Sequence, residues 1–342
     1  MADAPIRVVI ADDSETARRM LREWLTRDAG FEIVAEATNG KAAVNQVVAH
    51  RPNIVVLDVE MPEMDGIDAT RQIMNRAPTP IVMFTSSAVA LKRKIAFEAL
   101  AAGALDVFHK PAAGASDQPA AEAFRKLLTL LAPIKVITRP APRPRPVVPP
   151  AVKPLAGIPR TLAVAASTGG PVALVKFLKG LPPTFPACIL LVQHQSPEFM
   201  QGFIEWLADN ITLPVKIAKD GDALRPGVVL VAPGDHHMRL GSDGRITLDQ
   251  GDPIHACRPA ADALFSSVAK VAGPRAIGVL LTGMGQDGLK GARELVNAGS
   301  TVIAQDEASS VVWGMPGAAD HVLPLDGIAE FVQTLAATGT RS

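Results

Sequence analysis

Polar residues that could do chemistry stand where apolar runs stop. Residues 161–170 read TLAVAASTGG, which puts Ser167 between an apolar run and paired glycines. AASTG departs at Ala165 alone from the G-x-S-x-G turn that lifts a nucleophilic serine off a strand end. A helix starting at Gly169-Gly170 would present its partial positive charge to an alkoxide or oxyanion forming at Ser167. The plainer reading of Ser167 is a helix cap. His194 closes the run ACILLVQH, and Asp287 follows GVLLTG after a short loop. Serine, histidine and aspartate at three strand ends supply the nucleophile, base and orienting acid of acyl transfer. Their order along the chain is none of the three common hydrolase orders, and a triad is defined by geometry.

The stretch VLLTGMGQDG admits another reading. Gly283, Gly285 and Gly288 fit G-x-G-x-x-G, and Asp306 lies where a dinucleotide fold holds its ribose-binding acid. Electrostatics oppose it. Asp287 would sit inside the pyrophosphate cradle, and two unit charges about 4 Å apart repel by about 4 kcal/mol at an effective dielectric of 20. A transition-metal site at His236, His237, Met238 and His255 is likewise disfavoured: neighbours on a strand face opposite ways, and no Cys or Glu completes a ligand set. Arg258 and Asp262 are expected to shape the substrate groove or to pair across a helix turn.

A second group lies nearer the N-terminus. Asp12 and Asp13 end one apolar run, Asp58 another, Thr85 a third and Lys110 a fourth. Each alone could be a cap or a surface turn. Together, three carboxylates at one rim repel unless a hard divalent cation joins them, and oxygen ligands suit Mg²⁺. The cation would screen an incoming phosphoryl group, with Lys110 and Thr85 contacting its oxygens.

Both groups need parallel sheets, because strand carboxyl ends then share one rim. Strands are expected at IRVVIAD, FEIVAEA, NIVVLDV, PIVMFTS and ALDVFHK, with helices between. The alternation resumes at TLAVAAS, ACILLVQH, GVVLVAP, AIGVLLTG and STVIAQD, with a hairpin about Asp243-Gly244. Between them, residues 133–160 hold many prolines and Lys135, Arg139, Arg143, Arg145, Lys153 and Arg160, with no acid. Such a segment is an extended, solvated tether. The fold class is therefore α/β: two doubly wound parallel-sheet domains, 1–132 and 161–342, joined by a Pro-rich linker over 133–160.

Bulk properties agree with two domains. The chain has 342 residues, 48% hydrophobic and 20% charged, with 34 basic and 34 acidic side chains. Zero net charge argues against nucleic acid as an obligatory partner. Cys188 and Cys257 lie in apolar or semi-apolar contexts, expected as buried free thiols in a reducing compartment. The N-terminal run carries acids and lacks a cleavage site, and no apolar stretch is long enough to span a bilayer, so a cytoplasmic location is expected.

At these residues the chain resembles two known families. Residues 5–130, above all LDVEMPEMDG around Asp58, resemble the receiver domain of two-component response regulators. That resemblance implies Asp58 as phospho-acceptor, Mg²⁺ on Asp12, Asp13, Asp58 and the carbonyl of Glu60, and a histidine kinase as phosphodonor. Receivers usually carry an aromatic residue where Val107 stands; Phe108 is adjacent but should face the other way. The segments AASTGGPVAL, LVQH, VAPGDHHM, GVLLTGMGQDG and AQDEASSVVWGMPGAA are similar to the CheB chemoreceptor methylesterases. This implies phosphorylation-activated hydrolysis of glutamyl γ-methyl esters on chemoreceptor cytoplasmic helices, releasing methanol, with deamidation of receptor glutamines in some members. Ser167 would be the nucleophile, His194 the base and Asp287 the orienting acid, with oxyanion donors at the N–H of Thr168 and Met284. No cofactor is implied for the esterase step, and the membrane is reached only through the receptor. The chain departs from that family at Ala165, at His194-Gln195-Ser196-Pro197, and at Arg258-Pro259-Ala260-Ala261-Asp262, where the groove-facing residues differ.

Overall fold

The computed structural model describes residues 4–27, 29–85, 97–111, 118–134, 136, 161–195, 197–283, 285–314 and 319–338. The chain divides into two compact units, Met1–Pro142 and Arg143–Ser342. Residues 137–160 of the expected linker lie outside the described residues.

The first unit runs β1 (Ile6–Ala11), α1 (Glu15–Thr26), β2 (Phe31–Ala37), α2 (Gly40–His50), β3 (Ile54–Leu57), α3 (Gly66–Arg76) and β4 (Ile81–Thr85). Helical residues 97–102 (α4), β5 (Asp106–His109) and α5 (Gln118–Leu131) complete it. Its sheet is parallel in the order β2-β1-β3-β4-β5. Helices on both faces require continuous apolar strands, and every residue of β3 and β4 is buried. Ser14, Asn39 and Asp65 start α1, α2 and α3 by accepting backbone N–H bonds from Ala17, Ala42 and Asp68. The strand order reverses between β1 and β3, so the residues following those two strands line the crevice where such sheets hold ligands. The glycine of the MDG run has a local cause. A Cβ on Gly66 would stand 2.1 Å from the carbonyl oxygen of Asp58.

Trp24, Phe84, Phe108 and Phe124 form one aromatic cluster, with Phe108 and Phe124 ring centres 4.8 Å apart and Phe84 stacked on Phe108. Phe108 is thereby committed to the contact with α1 and α5, and Val107 is buried at the usual aromatic position.

The second unit holds β6 (Thr161–Ala166), α6 (Gly170–Lys179), β7 (Cys188–Gln193), α7 (Pro197–Asn210), β8 (Val215–Ile217) and β9 (Val229–Val231). It continues with β10 (His237–Leu240), β11 (Ile246–Asp249), α8 (Ala261–Ala272), β12 (Ala276–Leu280), α9 (Leu289–Asn297), β13 (Thr301–Gln305), β14 (His321–Leu323) and α10 (Leu325–Thr338). Seven parallel strands lie in the order β14-β13-β12-β6-β7-β9-β8, and β10 with β11 forms the expected hairpin. The sequence reading supplied five of the seven; β8 and β14 are edge strands of three residues, too short to show periodicity. Helices α8 and α9 pack as one group, α6 with α7 and α10 as another. One core joins α8 and α9 to the sheet through Leu264, Phe265, Val268, Leu295, Leu190 and Leu280. Among the described residues no helix is long and apolar enough to cross a membrane.

Candidate active site

Strand β6 lies between β12 and β7, so the segments that leave these three strands emerge side by side. The backbone stitches them together: Ser167 N–H donates to the Thr282 carbonyl at 3.0 Å, and His194 N–H to the Ala166 carbonyl at 3.0 Å. Gln193, 1% exposed, donates from Nε2 to the carbonyls of both Ser167 and His194, each at 3.0 Å. A single buried amide therefore fixes the backbones of Ser167 and His194 to each other.

Past Ser167 the chain turns sharply into α6. Gly169 adopts φ 75°, and a Cβ there would meet Val311 at 2.6 Å. Gly169 is the cap position and makes no side-chain cap bond, so Ser167 does not cap this helix. Its half-buried side chain stands beside a helix N-terminus instead.

His194 Nε2 lies 2.7 Å from Asp287 Oδ2. Asp287 is 1% exposed, and its two oxygens also accept the first N–H groups of α8, from Ala261 at 2.6 Å and Asp262 at 2.9 Å. An anion buried at a helix N-terminus is stabilised by the dipole and the unpaired N–H groups together. Burial alone would raise the Asp287 pKa, but the His194 hydrogen bond and charge and the two N–H donors hold it below the ordinary value. For His194, burial works against the imidazolium, yet hydrogen bonds to Asp287 and Cys257 push its pKa up to about 9. An ionised carboxylate only accepts, so in the neutral ring Nε2 carries the hydrogen and Nδ1, which faces Cys257 Sγ, is the unprotonated nitrogen.

Cys257 is not the buried thiol expected from the sequence. It is half-buried, with Sγ 3.8 Å from His194 Nδ1. Ile254 and Cys257 exchange both backbone bonds across a two-residue turn whose members, His255 and Ala256, take φ 51° and 62°. Such a turn demands left-handed backbone, which neither residue type signals. Cys188 does match its expectation: it is buried, and burial pushes its thiol up to about 11.

Arg258 and Asp262 do not pair. Arg258 Nε donates to Asp235 Oδ1 at 2.9 Å, whereas Asp262 Oδ1 accepts from Gly291 N–H at 2.7 Å and Oδ2 lies 3.3 Å from His255 Nε2. Helix α8 begins at Ala261, so Arg258 precedes the turn on which an i,i+4 pair would form. His237 is fully buried, its Nδ1 accepting from Ala260 N–H at 3.2 Å and its Nε2 donating to the Asp252 carbonyl at 3.0 Å. It thus holds the entry to α8, next to the residues that grip Asp287. Asp306 accepts from Ser309 N–H as a short cap, and with Asp287 spent on His194 the dinucleotide reading finds no support.

Of the expected oxyanion donors, Thr168 is buried in the turn after Ser167, its carbonyl accepting from Thr282 Oγ1 at 3.1 Å. Met284 lies outside the described residues. Gly283 bridges Trp313, which is 48% exposed beside this loop.

In the first unit, Lys110 Nζ lies 2.6 Å from Asp12 Oδ2 and 2.8 Å from Asp58 Oδ2. Asp12, Asp13 and Asp58 each offer an oxygen within 4.8 Å of the others. Burial pushes the Asp58 pKa up to about 6, with the Lys110 charge opposing and the Asp12 charge reinforcing that rise. Three hard oxygen donors, two of them on buried residues, fit a Mg²⁺ ion. Thr85 ends β4, almost fully buried, and its carbonyl accepts from Lys110 N–H at 2.9 Å.

Gln193 and Cys257 are the residues that sequence reasoning missed. The position of Gln193, directly before a strand-end histidine, was the one available signal.

Comparison with known proteins accords with this geometry. Residues 162–332 match the CheB methylesterase family model, and residues 8–116 that of the response regulator receiver domain. A protein-glutamate methylesterase/protein-glutamine glutaminase of Myxococcus xanthus is 44% identical over 326 residues, covering 93% of this chain and 91% of the relative. One from Anaeromyxobacter dehalogenans is 44% identical, covering 95% and 97%. The crystal structure of the Thermotoga maritima CheB methylesterase catalytic domain aligns at 40% identity and TM-score 0.50, over 52% of this chain and 98% of that one. With a histidine–aspartate pair in the segments that follow β7 and β12, beside a serine turn, and a receiver-type acidic rim earlier in the sequence, the chain belongs to the CheB methylesterase family.

Proposed function

We propose that the protein hydrolyses γ-methyl esters of glutamate on chemoreceptor cytoplasmic helices through Ser167, His194 and Asp287, under control of phosphorylation at Asp58. The observation that carries the esterase reading is the His194 Nε2 to Asp287 Oδ2 contact at 2.7 Å, with the carboxylate anchored on α8. Nδ1 of His194 takes the Ser167 proton as Oγ attacks the ester carbonyl, and the imidazolium then protonates the leaving methoxide. Water, deprotonated by the same nitrogen, cleaves the acyl-enzyme to glutamate and Ser167. The N–H groups of Thr168 and Met284 are the proposed oxyanion donors. Deamidation of receptor glutamine follows the same acyl path, with ammonia leaving. The esterase step calls on no cofactor.

On the receiver unit, Asp12, Asp13, Asp58 and the Glu60 carbonyl would hold Mg²⁺. When bound, the ion screens the charge of an incoming phosphoryl group. Asp58 is the proposed acceptor from a histidine kinase, and its new charge draws Lys110 away from Asp12, while Thr85 contacts the phosphoryl oxygens. The proposed arrangement is a receiver over 1–132, a tether over 133–160 and a catalytic domain over 161–342, acting in the cytoplasm and meeting the membrane only at its receptor.

The test is methanol release from methylated receptor membranes. Ser167→Ala should keep the fold and lose at least about 10³-fold in rate; turnover near the parent's would remove Ser167 from the mechanism.

A further inference from the structure

We infer that Cys257 Sγ and His194 Nδ1 form a binding site for a thiophilic divalent cation, Zn²⁺ being the fitting ion, and that its occupancy silences the esterase.

The distance between the two atoms already suits an ion. Tetrahedral zinc with Zn–S of about 2.3 Å and Zn–N of about 2.0 Å holds its sulfur and nitrogen ligands about 3.6 Å apart. Sγ and Nδ1 are already 3.8 Å apart, so an ion needs almost no rearrangement to bridge them.

A carboxylate stands behind the histidine. A metal-ligating imidazole characteristically donates its other N–H to a carboxylate, which fixes the ring and strengthens the ligating nitrogen. His194 does this through Nε2 to Asp287, and Asp287 is itself fixed by Ala261 and Asp262 N–H. The carboxylate–histidine–metal relay is complete except for the ion. His194, Cys257 and Asp287 are also one of two groups among the described residues with ligand atoms within 4.8 Å of one another.

The pair is also open to solvent. His194 and Cys257 are both partly exposed, so water can fill the remaining coordination positions and an ion can enter and leave. Sulfur and imidazole select zinc over magnesium, which prefers the oxygen rim of the first unit. The ion would occupy the nitrogen that must accept the Ser167 proton. The inhibitory consequence thus rests on the reading of His194 as base; the binding does not.

Full-length protein should release methanol more slowly as Zn²⁺ is added, and EDTA should restore the rate. Cys257→Ala, each rate taken against its own zinc-free value, should need at least about tenfold more Zn²⁺ for half-inhibition. Co²⁺ supplies a readout independent of turnover: a thiolate-to-cobalt absorption band should form in the parent and in Ser167→Ala, and vanish in Cys257→Ala. Buried Cys188 remains in every variant as the internal control. Equal zinc sensitivity of parent and Cys257→Ala, an uninhibited parent, or absence of the cobalt band would each overturn the inference. An active Ser167→Ala that still gives the cobalt band would instead overturn the esterase assignment, so the two failures are separable.

Discussion

His194 meets Asp287 through Nε2, at 2.7 Å, the reverse of the arrangement in which a triad histidine gives Nδ1 to its acid and Nε2 to its serine. The ring is turned over, and the tautomer is fixed by the same logic. Asp287→Asn would place an amide N–H against Nε2 and drive the hydrogen to Nδ1, leaving no base. The variant keeps Oδ1 for the Asp262 N–H and loses only the bond from Ala261 N–H to Oδ2, so circular dichroism should change little, while methanol release should fall by about 10⁴-fold.

The raised His194 pKa sets a pH profile. With the imidazole pKa at about 9, the neutral base becomes the majority only on the alkaline side, so kcat/KM should climb from pH 6.5 to about 9. Stability runs the other way. The folded pKa exceeds the unfolded value of about 6.5, so the pair's contribution is complete below that value and fades as pH rises through about 9. Parallel rate and melting profiles would check both; a rate that declines above pH 7 contradicts the assignment.

Asp58 shifts stability in the same direction, in a lower pH window. Its folded pKa of about 6 lies above the unfolded value of about 3.9, so folded protein loses stability as pH rises between those values and stays lower beyond them. With EDTA present, Asp58→Asn should be more stable to unfolding than the parent at pH 7.5, by on the order of 2–3 kcal/mol, and the advantage should vanish near pH 4. The same variant should gain no activity from a small-molecule phosphodonor with Mg²⁺.

Gln193 acts through its neighbours. Gln193→Met leaves the Ser167 and His194 carbonyls without their buried donor, at a cost of about 1–3 kcal/mol. Misplaced nucleophile and base should lower kcat more than they change KM, which steady-state kinetics on methylated receptor would separate from a simple loss of folded protein.

Ser167, His194 and Asp287 were legible as strand-end residues because β6, β7 and β12 are wholly apolar or buried over five or six residues and each gives way to a polar turn. Ser167, His194 and Asp287 each follow such a run, and parallel topology does the rest. Cys257 was not legible. Its place depends on left-handed His255 and Ala256, and only glycine or asparagine would have announced that turn. The i,i+4 pairing of Arg258 with Asp262 failed because the helix starts between them, a boundary that spacing alone does not reveal. Asp262 instead ties α8 to α9 through Gly291, where a Cβ would come 2.5 Å from Phe265.

Because Asp287 receives the opening N–H groups of α8, the proposed orienting acid doubles as that helix's anchor. Fraying of the first turn of α8 would free the carboxylate and release the imidazole while every strand is still paired. In mild urea, turnover should therefore disappear before the far-ultraviolet signal does, with the amides of Ala261 and Asp262 among the first in the second unit to exchange with deuterium. The proposed reaction centre is by this construction a gauge of local order, extinguished by a disturbance too small to melt the domain that bears it.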